Sequence, residues 1–162
     1  MKDRVQFPGG NFELSIYQNQ TAYERGEVLR TVRVHNKMTT ASFAVIAGLV
    51  GNTGSQTAFG YLALGTSTTA VSAAHTGLQA EISTNGLQRA VSVNSRTTTT
   101  QTNDTLNFVF AWTATGVSTV QEIGIFNAAA AGTMLARALT GAITTASGNV
   151  LTGTYTWQVV GN

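Results

Sequence analysis

The fold is decided near the end of the chain, by Leu151-Thr152-Gly153-Thr154-Tyr155-Thr156-Trp157-Gln158-Val159. Successive side chains of an extended strand point to opposite sides. Leu151, Gly153, Tyr155, Trp157 and Val159 therefore share one face, and Thr152, Thr154, Thr156 and Gln158 share the other. An apolar face backed by a threonine face is the pattern of a sheet covered on one side only. This strand is expected to form one wall of a layered β structure.

The same period recurs upstream. Leu106, Phe108, Phe110 and Trp112 alternate, and Leu87, Arg89, Val91 and Val93 predict a further strand. Residues 59–64 predict a buried strand closed by Gly65, followed by a Thr/Ser/Ala loop that runs to His75. Residues 122–126 and 133–139 predict short apolar strands around a turn at 127–132, and the threonines of 97–100 a loop at a strand edge. Near the N-terminus, Phe12, Leu14 and Ile16 alternate with Glu13 and Ser15. Past a polar turn, Val28, Arg30, Val32 and Val34 share a face, so the two runs predict a β-hairpin. Arg30 among apolar neighbours marks an edge strand protected by charge. Only residues 39–50 change period: Phe43, Ile46, Ala47 and Val50 recur at helical spacing, with Thr39 or Thr40 to cap the start and Gly51 to close the end. The expected fold is mainly β. It is a jelly-roll-like β-sandwich over 59–162, with a charged N-terminal hairpin arm over 1–37 and a short helix and linker over 38–58.

Charge is scarce and uneven. Asp, Glu, Lys and Arg make up 10% of the 162 residues, against about 25% in ordinary soluble domains. Ten of these side chains fall within residues 1–37 and six in all the rest. A surface this weakly ionised lacks the repulsion that keeps monomers apart, which points to a homo-oligomer, with a trimer as the expected form. The cationic residues of the arm, Arg4, Arg25, Arg30, Arg33 and Lys37, are the expected contacts to a different protein. A net charge of +2 without a basic cluster gives no reason to expect nucleic-acid binding. No apolar run approaches the ~20 residues that cross a bilayer, so no membrane role is expected. With no cysteine there is neither a disulfide framework nor a thiolate metal site. The opening Met1-Lys2-Asp3-Arg4 has no apolar run behind it, so synthesis in a cytoplasm without a signal peptide is expected.

A search for chemistry assembles no constellation, and neither catalytic activity nor a cofactor or metal is expected. His35 and His75 lie forty positions apart, Glu81, Asp104 and Glu122 each stand alone in their segments, and no glycine run completes a phosphate loop. Two charges stand out: Glu122 and Arg137 each sit inside an apolar strand, and a buried charge requires a partner. The short turn between their strands predicts an ion pair that fixes register or a subunit contact, with Arg89 able to join through Glu81.

Several segments resemble small structural proteins of tailed-bacteriophage virions. The segment Phe59-Gly60-Tyr61-Leu62-Ala63-Leu64-Gly65-Thr66, with Gly77-Leu78-Gln79-Ala80-Glu81-Ile82 after a loop, is similar to an aromatic–aliphatic strand and L-x-x-E segment of that group. Glu122-Ile123-Gly124-Ile125-Phe126-Asn127 and Gly132-Thr133-Met134-Leu135-Ala136-Arg137 are similar to its E-x-G-L-F-N and G-T-M-L-A-R strand pair, with Ile125 in place of the commoner Leu and Ser67 in place of a usual Gly. The resemblance implies a virion component without catalytic residues. The member it favours is a capsid decoration, or cement, protein that bridges subunits of the major capsid protein on the capsid surface. The other reading is a tail, baseplate or head-fibre component that binds a host glycan or receptor. Ring exposure separates the two: a cement protein buries Trp112, Tyr155 and Trp157, and a sugar-binding module presents at least one of them.

Overall fold

The computed structural model describes residues 9–159. In chain order these form β1 (Asn11–Tyr17), α1 (Gln20–Glu24), β2 (Val28–His35), β3 (Lys37–Met38), α2 (Thr40–Gly51), β4 (Tyr61–Gly65), β5 (Ala90–Val91), β6 (Val93–Thr97), β7 (Thr105–Thr113), β8 (Ser118–Phe126), β9 (Met134–Thr145) and β10 (Val150–Gln158). They pair into two five-stranded antiparallel sheets. Sheet A has the order β2-β1-β10-β7-β6 and sheet B the order β3-β9-β8-β4-β5. The sheets face each other as a sandwich, and the core lies between them. Phe12, Leu14, Trp112 and Tyr155 of sheet A meet Leu62, Leu64, Ile123 and Ile125 of sheet B. Each such side chain contributes roughly 1.5–3 kcal/mol of burial free energy.

β10 follows the alternation of its sequence. Leu151, Gly153, Tyr155 and Trp157 are buried and the intervening residues are half-exposed. Gly153 has a steric reason to be glycine: a Cβ there would stand 2.8 Å from the Trp112 ring. That indole is anchored in turn by donating from Nε1 to the Gln88 carbonyl at 2.8 Å.

Four expectations need correction. First, the N-terminal hairpin is not an arm set apart from the body. β1 pairs with β10 over all seven of its residues and places Phe12, Leu14 and Ile16 in the common core, so residues 11–35 are integral to sheet A. The described charges of this stretch are spread over β1, α1 and its turn, β2 and β3, within the two sheets and their connections. Second, the turn of that hairpin contains α1, whose N-cap Asn19 accepts from the Ala22 N–H, so the described residues hold two helices where one was expected. Third, the predicted strand through Leu87 and Val93 is divided. Ser92 sits where the chain passes from sheet B to sheet A, donating its N–H and its hydroxyl to the Gly60 carbonyl. Leu87 is buried, while Val91 and Val93 face solvent. Fourth, α2 is capped at its start by Thr39, as expected, but is closed by Asn52 in the left-handed conformation with φ 50°, one residue beyond Gly51.

Candidate functional site

The two charges embedded in apolar strands meet. β8 and β9 form a hairpin in which Gly124 opposes Arg137 and Glu122 opposes Leu139, so Glu122 and Arg137 are diagonal neighbours. Ile123, Ile125 and Ala138 fill the core, and the two charged residues therefore project from the opposite, outer face of sheet B. There the Arg137 Nε donates to Glu122 Oε2 at 2.5 Å, and both side chains are fully buried.

Burial on an outer face requires a cover, and residues 66–80 provide it. Glu122 accepts the backbone N–H groups of Ala80 at 2.8 Å and Gln79 at 3.2 Å. Arg137 donates from Nη2 to the Thr69 carbonyl at 2.9 Å, and its Nη1 lies 3.2 Å from His75 Nδ1. A guanidinium has no acceptor, so the His75 nitrogen is the acceptor in this contact. Both carboxylate oxygens and all three guanidinium nitrogens are engaged. Further bonds seat the loop: Thr66 N–H to the Ala80 carbonyl, Gln121 Nε2 to the Thr66 carbonyl, and Thr40 N–H to the Ala73 carbonyl at the start of α2.

Gly65 opposes Glu122 on β4, and the Glu122 side chain lies directly across it. A Cβ at this position would stand 2.6 Å from Glu122 Cγ and 2.7 Å from the Ala80 carbonyl. The same residue forms a single antiparallel bridge to Glu81.

A second pair flanks the first. Arg89 binds Glu81 in a two-point contact, Nε to Oε1 at 2.8 Å and Nη2 to Oε2 at 2.6 Å. Its guanidinium stacks 3.6 Å from the centre of the Phe126 ring and donates to the carbonyls of Ala128 and Ala131. Below it lies a small apolar cluster of Ala63, Phe126 and Met134, with Tyr61 and Leu78 against it. Arg89 thus ties the 81–89 segment to the β8–β9 turn. It meets Glu81, as expected, while Glu122 and Arg137 engage other partners.

The remaining site candidates scatter. Arg4 lies outside the described residues. Arg25 caps α1 and approaches Glu27 at 3.8 Å, and Arg33 binds Glu13 at 2.6 Å on the outer face of sheet A. Arg30 closes the open side of the sandwich by donating to the Ala142 carbonyl of β9, and Lys37 is exposed on β3. Trp112, Tyr155 and Trp157 are all buried, and burial pushes the Tyr155 phenol well above its usual range. None of the three is presented for stacking on a sugar. Among the described residues, no three His, Cys, Asp or Glu side chains stand together to hold a metal ion, and no helix is long and apolar enough to cross a membrane.

Sequence reasoning missed the parts of the site that the loop supplies. His75 is 62 positions from Arg137 and Thr69 acts through its carbonyl, so neither leaves a local signal. Gly65 carried one, as a glycine at the end of an apolar strand. Asp104 was also missed. Its carboxylate accepts the N–H groups of Thr99, Thr100 and Gln101 and the hydroxyl of Thr100, closing the β6–β7 turn. These bonds, that of Gln101 foremost, hold its carboxyl far below the usual carboxylate range. No protein-family profile, curated protein or solved structure matches this chain.

Proposed function

We propose that this protein is a non-enzymatic structural component of a tailed-phage virion, a capsid decoration protein that self-associates and bridges subunits of the major capsid protein. The observation that carries the reading is how the chain spends its few charges. Glu122, Arg137, Glu81 and Arg89 are consumed in fastening loops to sheet B, while large apolar side chains such as Leu29, Val50, Val93 and Val117 stand exposed. A braced body with a weakly charged, partly apolar surface suits a subunit whose work is to be covered by neighbours. The segments that resemble virion proteins also converge: β4, the end of β8 and the start of β9 lie side by side and build the brace. The exposed cations of the β2 edge and its surroundings, Arg25, Arg33 and Lys37, face the capsid in this proposal. Cementing then works by adding buried area across capsomer junctions, at about 25 cal/mol per Å² before the costs of association.

The test is to add purified protein to capsids of the phage that encodes it, prepared without it, and to image them by electron cryomicroscopy. Ordered density at capsomer junctions is expected. Binding confined to tails or fibres, or no binding to any particle, would refute the decoration role.

A further inference from the structure

α2 is apolar on every side, yet the fold buries only one of them. Its residues, Thr-Ala-Ser-Phe-Ala-Val-Ile-Ala-Gly-Leu-Val-Gly, include no charge, and Ser42, Val45 and Ile46 alone are buried. Phe43 is 48% exposed and Val50 81% exposed. A surface helix normally turns a charged face to water, and one that is apolar all round is normally enclosed. Beside α2 lies a groove of about 390 Å³ whose walls include Phe59, Leu106, Phe108 and Trp157, with Asn94 the one polar side chain lining it among the described residues. Helix and groove form one continuous apolar surface, because Ile46, Leu49 and Val50 line both.

We infer that this surface is where copies of the chain meet, α2 of one against α2 of the next. Charge decides the occupant. Between Lys37 and Glu81 there is no Asp, Glu, Lys or Arg, and the other described residues that wall the groove are equally neutral. A foreign surface with ordinary charge content, about 25% of residues, would bury charges here with nothing to pair them. A second copy brings the same neutral face and no such cost. A symmetric contact sets the same patch against its own copy, so a patch without charges brings no unpaired charge into the contact. The inference rests on the proposed self-association and names the surface that performs it.

The experiment compares the full chain with Phe43→Glu, Val50→Glu and Val50→Ser by mass photometry and native mass spectrometry across a concentration series. Val117→Glu, exposed but not part of this surface, is the control. Circular dichroism and melting confirm that each variant is folded, and Val50→Ser retains a neutral side chain should either glutamate variant unfold. The expected result is an oligomeric parent and control, with self-association weakened at least about tenfold by each glutamate variant and less by the serine. A parent that oligomerises while all three α2 variants do so equally well overturns the assignment of this surface but leaves self-association standing. A parent that stays monomeric overturns both. Variants that remain oligomeric but no longer bind capsids would give the face to the capsid protein and overturn the inference.

Discussion

The two outer faces of the sandwich are built on opposite rules. On sheet A the outer face is open, and threonine, serine and asparagine line it. Ser15 bonds Thr31 at 2.7 Å, Thr156 bonds Asn107 at 3.0 Å, and Glu13–Arg33 is the ion pair on that face. On sheet B the outer face is roofed by residues 66–89, and beneath the roof lie a fully buried ion pair and a second apolar cluster. The strands record the difference: β10 alternates between buried and half-exposed residues, while β8 is buried at every position from Glu122 to Phe126. The lesson concerns what a polar residue does in each setting. On the open face most hydrogen bonds involve half-exposed residues for which water competes, so a single threonine matters little. Under the roof the ion pair is fully buried, and each donor depends on the partner that the fold provides.

The largest predicted effect tests the roof. Arg137→Ala leaves Glu122 buried without its cation and is expected to cost about 3–5 kcal/mol, a large share of a typical domain's roughly 5–15 kcal/mol. Urea unfolding of the variant measures it. The double variant Glu122→Leu, Arg137→Met is expected to cost less than the single one, since no unpaired charge remains. Its residual cost, about 1–3 kcal/mol, comes from the Gln79 and Ala80 N–H groups left without an acceptor. Sub-kcal/mol effects in both variants would place the pair in water and erase the distinction between the faces.

Gly65→Ala comes next. Its new Cβ meets Glu122 and the Ala80 carbonyl, which are held by the brace and cannot yield freely. Overpacking of this kind costs about 1–3 kcal/mol, to be read as a lowered melting temperature. A neutral result would mean that the loop moves aside at little cost and the roof is loose.

Asp104 extends the comparison to a carboxylate at the surface. Its folded-state affinity for a proton lies far below that of the unfolded chain, whose ordinary value is 3.8. Its stabilisation is therefore complete above that pH and is lost progressively as the pH falls below it. Replacing Asp104 with Asn should flatten the acid limb of the stability–pH curve relative to the parent. Identical acid limbs would show that the turn does not depend on the charge. The smallest effect belongs to the open face: Thr154→Val is expected to stay within about 0.5 kcal/mol of the parent. A change of several kcal/mol there would show that a second layer covers sheet A.

Legibility followed the same division. Where one face meets water, as in β10 and β7, the period of two is written into the residues and the strands were readable. The extent of β8 and β9 was underestimated because their early and late portions mix threonine, glycine and alanine with the apolar residues. Leu87, Arg89, Val91 and Val93 alternated as a strand should, yet the chain changes sheets at Ser92, and no local pattern encodes a change of sheet.

From sequence alone came the sandwich class, the capped helix at Thr39, and the requirement that Glu122 and Arg137 find partners. Those follow from local rules: side-chain period, capping chemistry, and the cost of an unpaired charge in an apolar strand. Tertiary structure decided the rest. It placed the N-terminal hairpin inside sheet A, laid residues 66–80 over the ion pair, and brought His75 and Thr69 to Arg137. The physical reason is separation along the chain. A backbone carbonyl that meets a guanidinium 68 residues away is selected by packing of whole elements, and no short stretch of sequence contains that information.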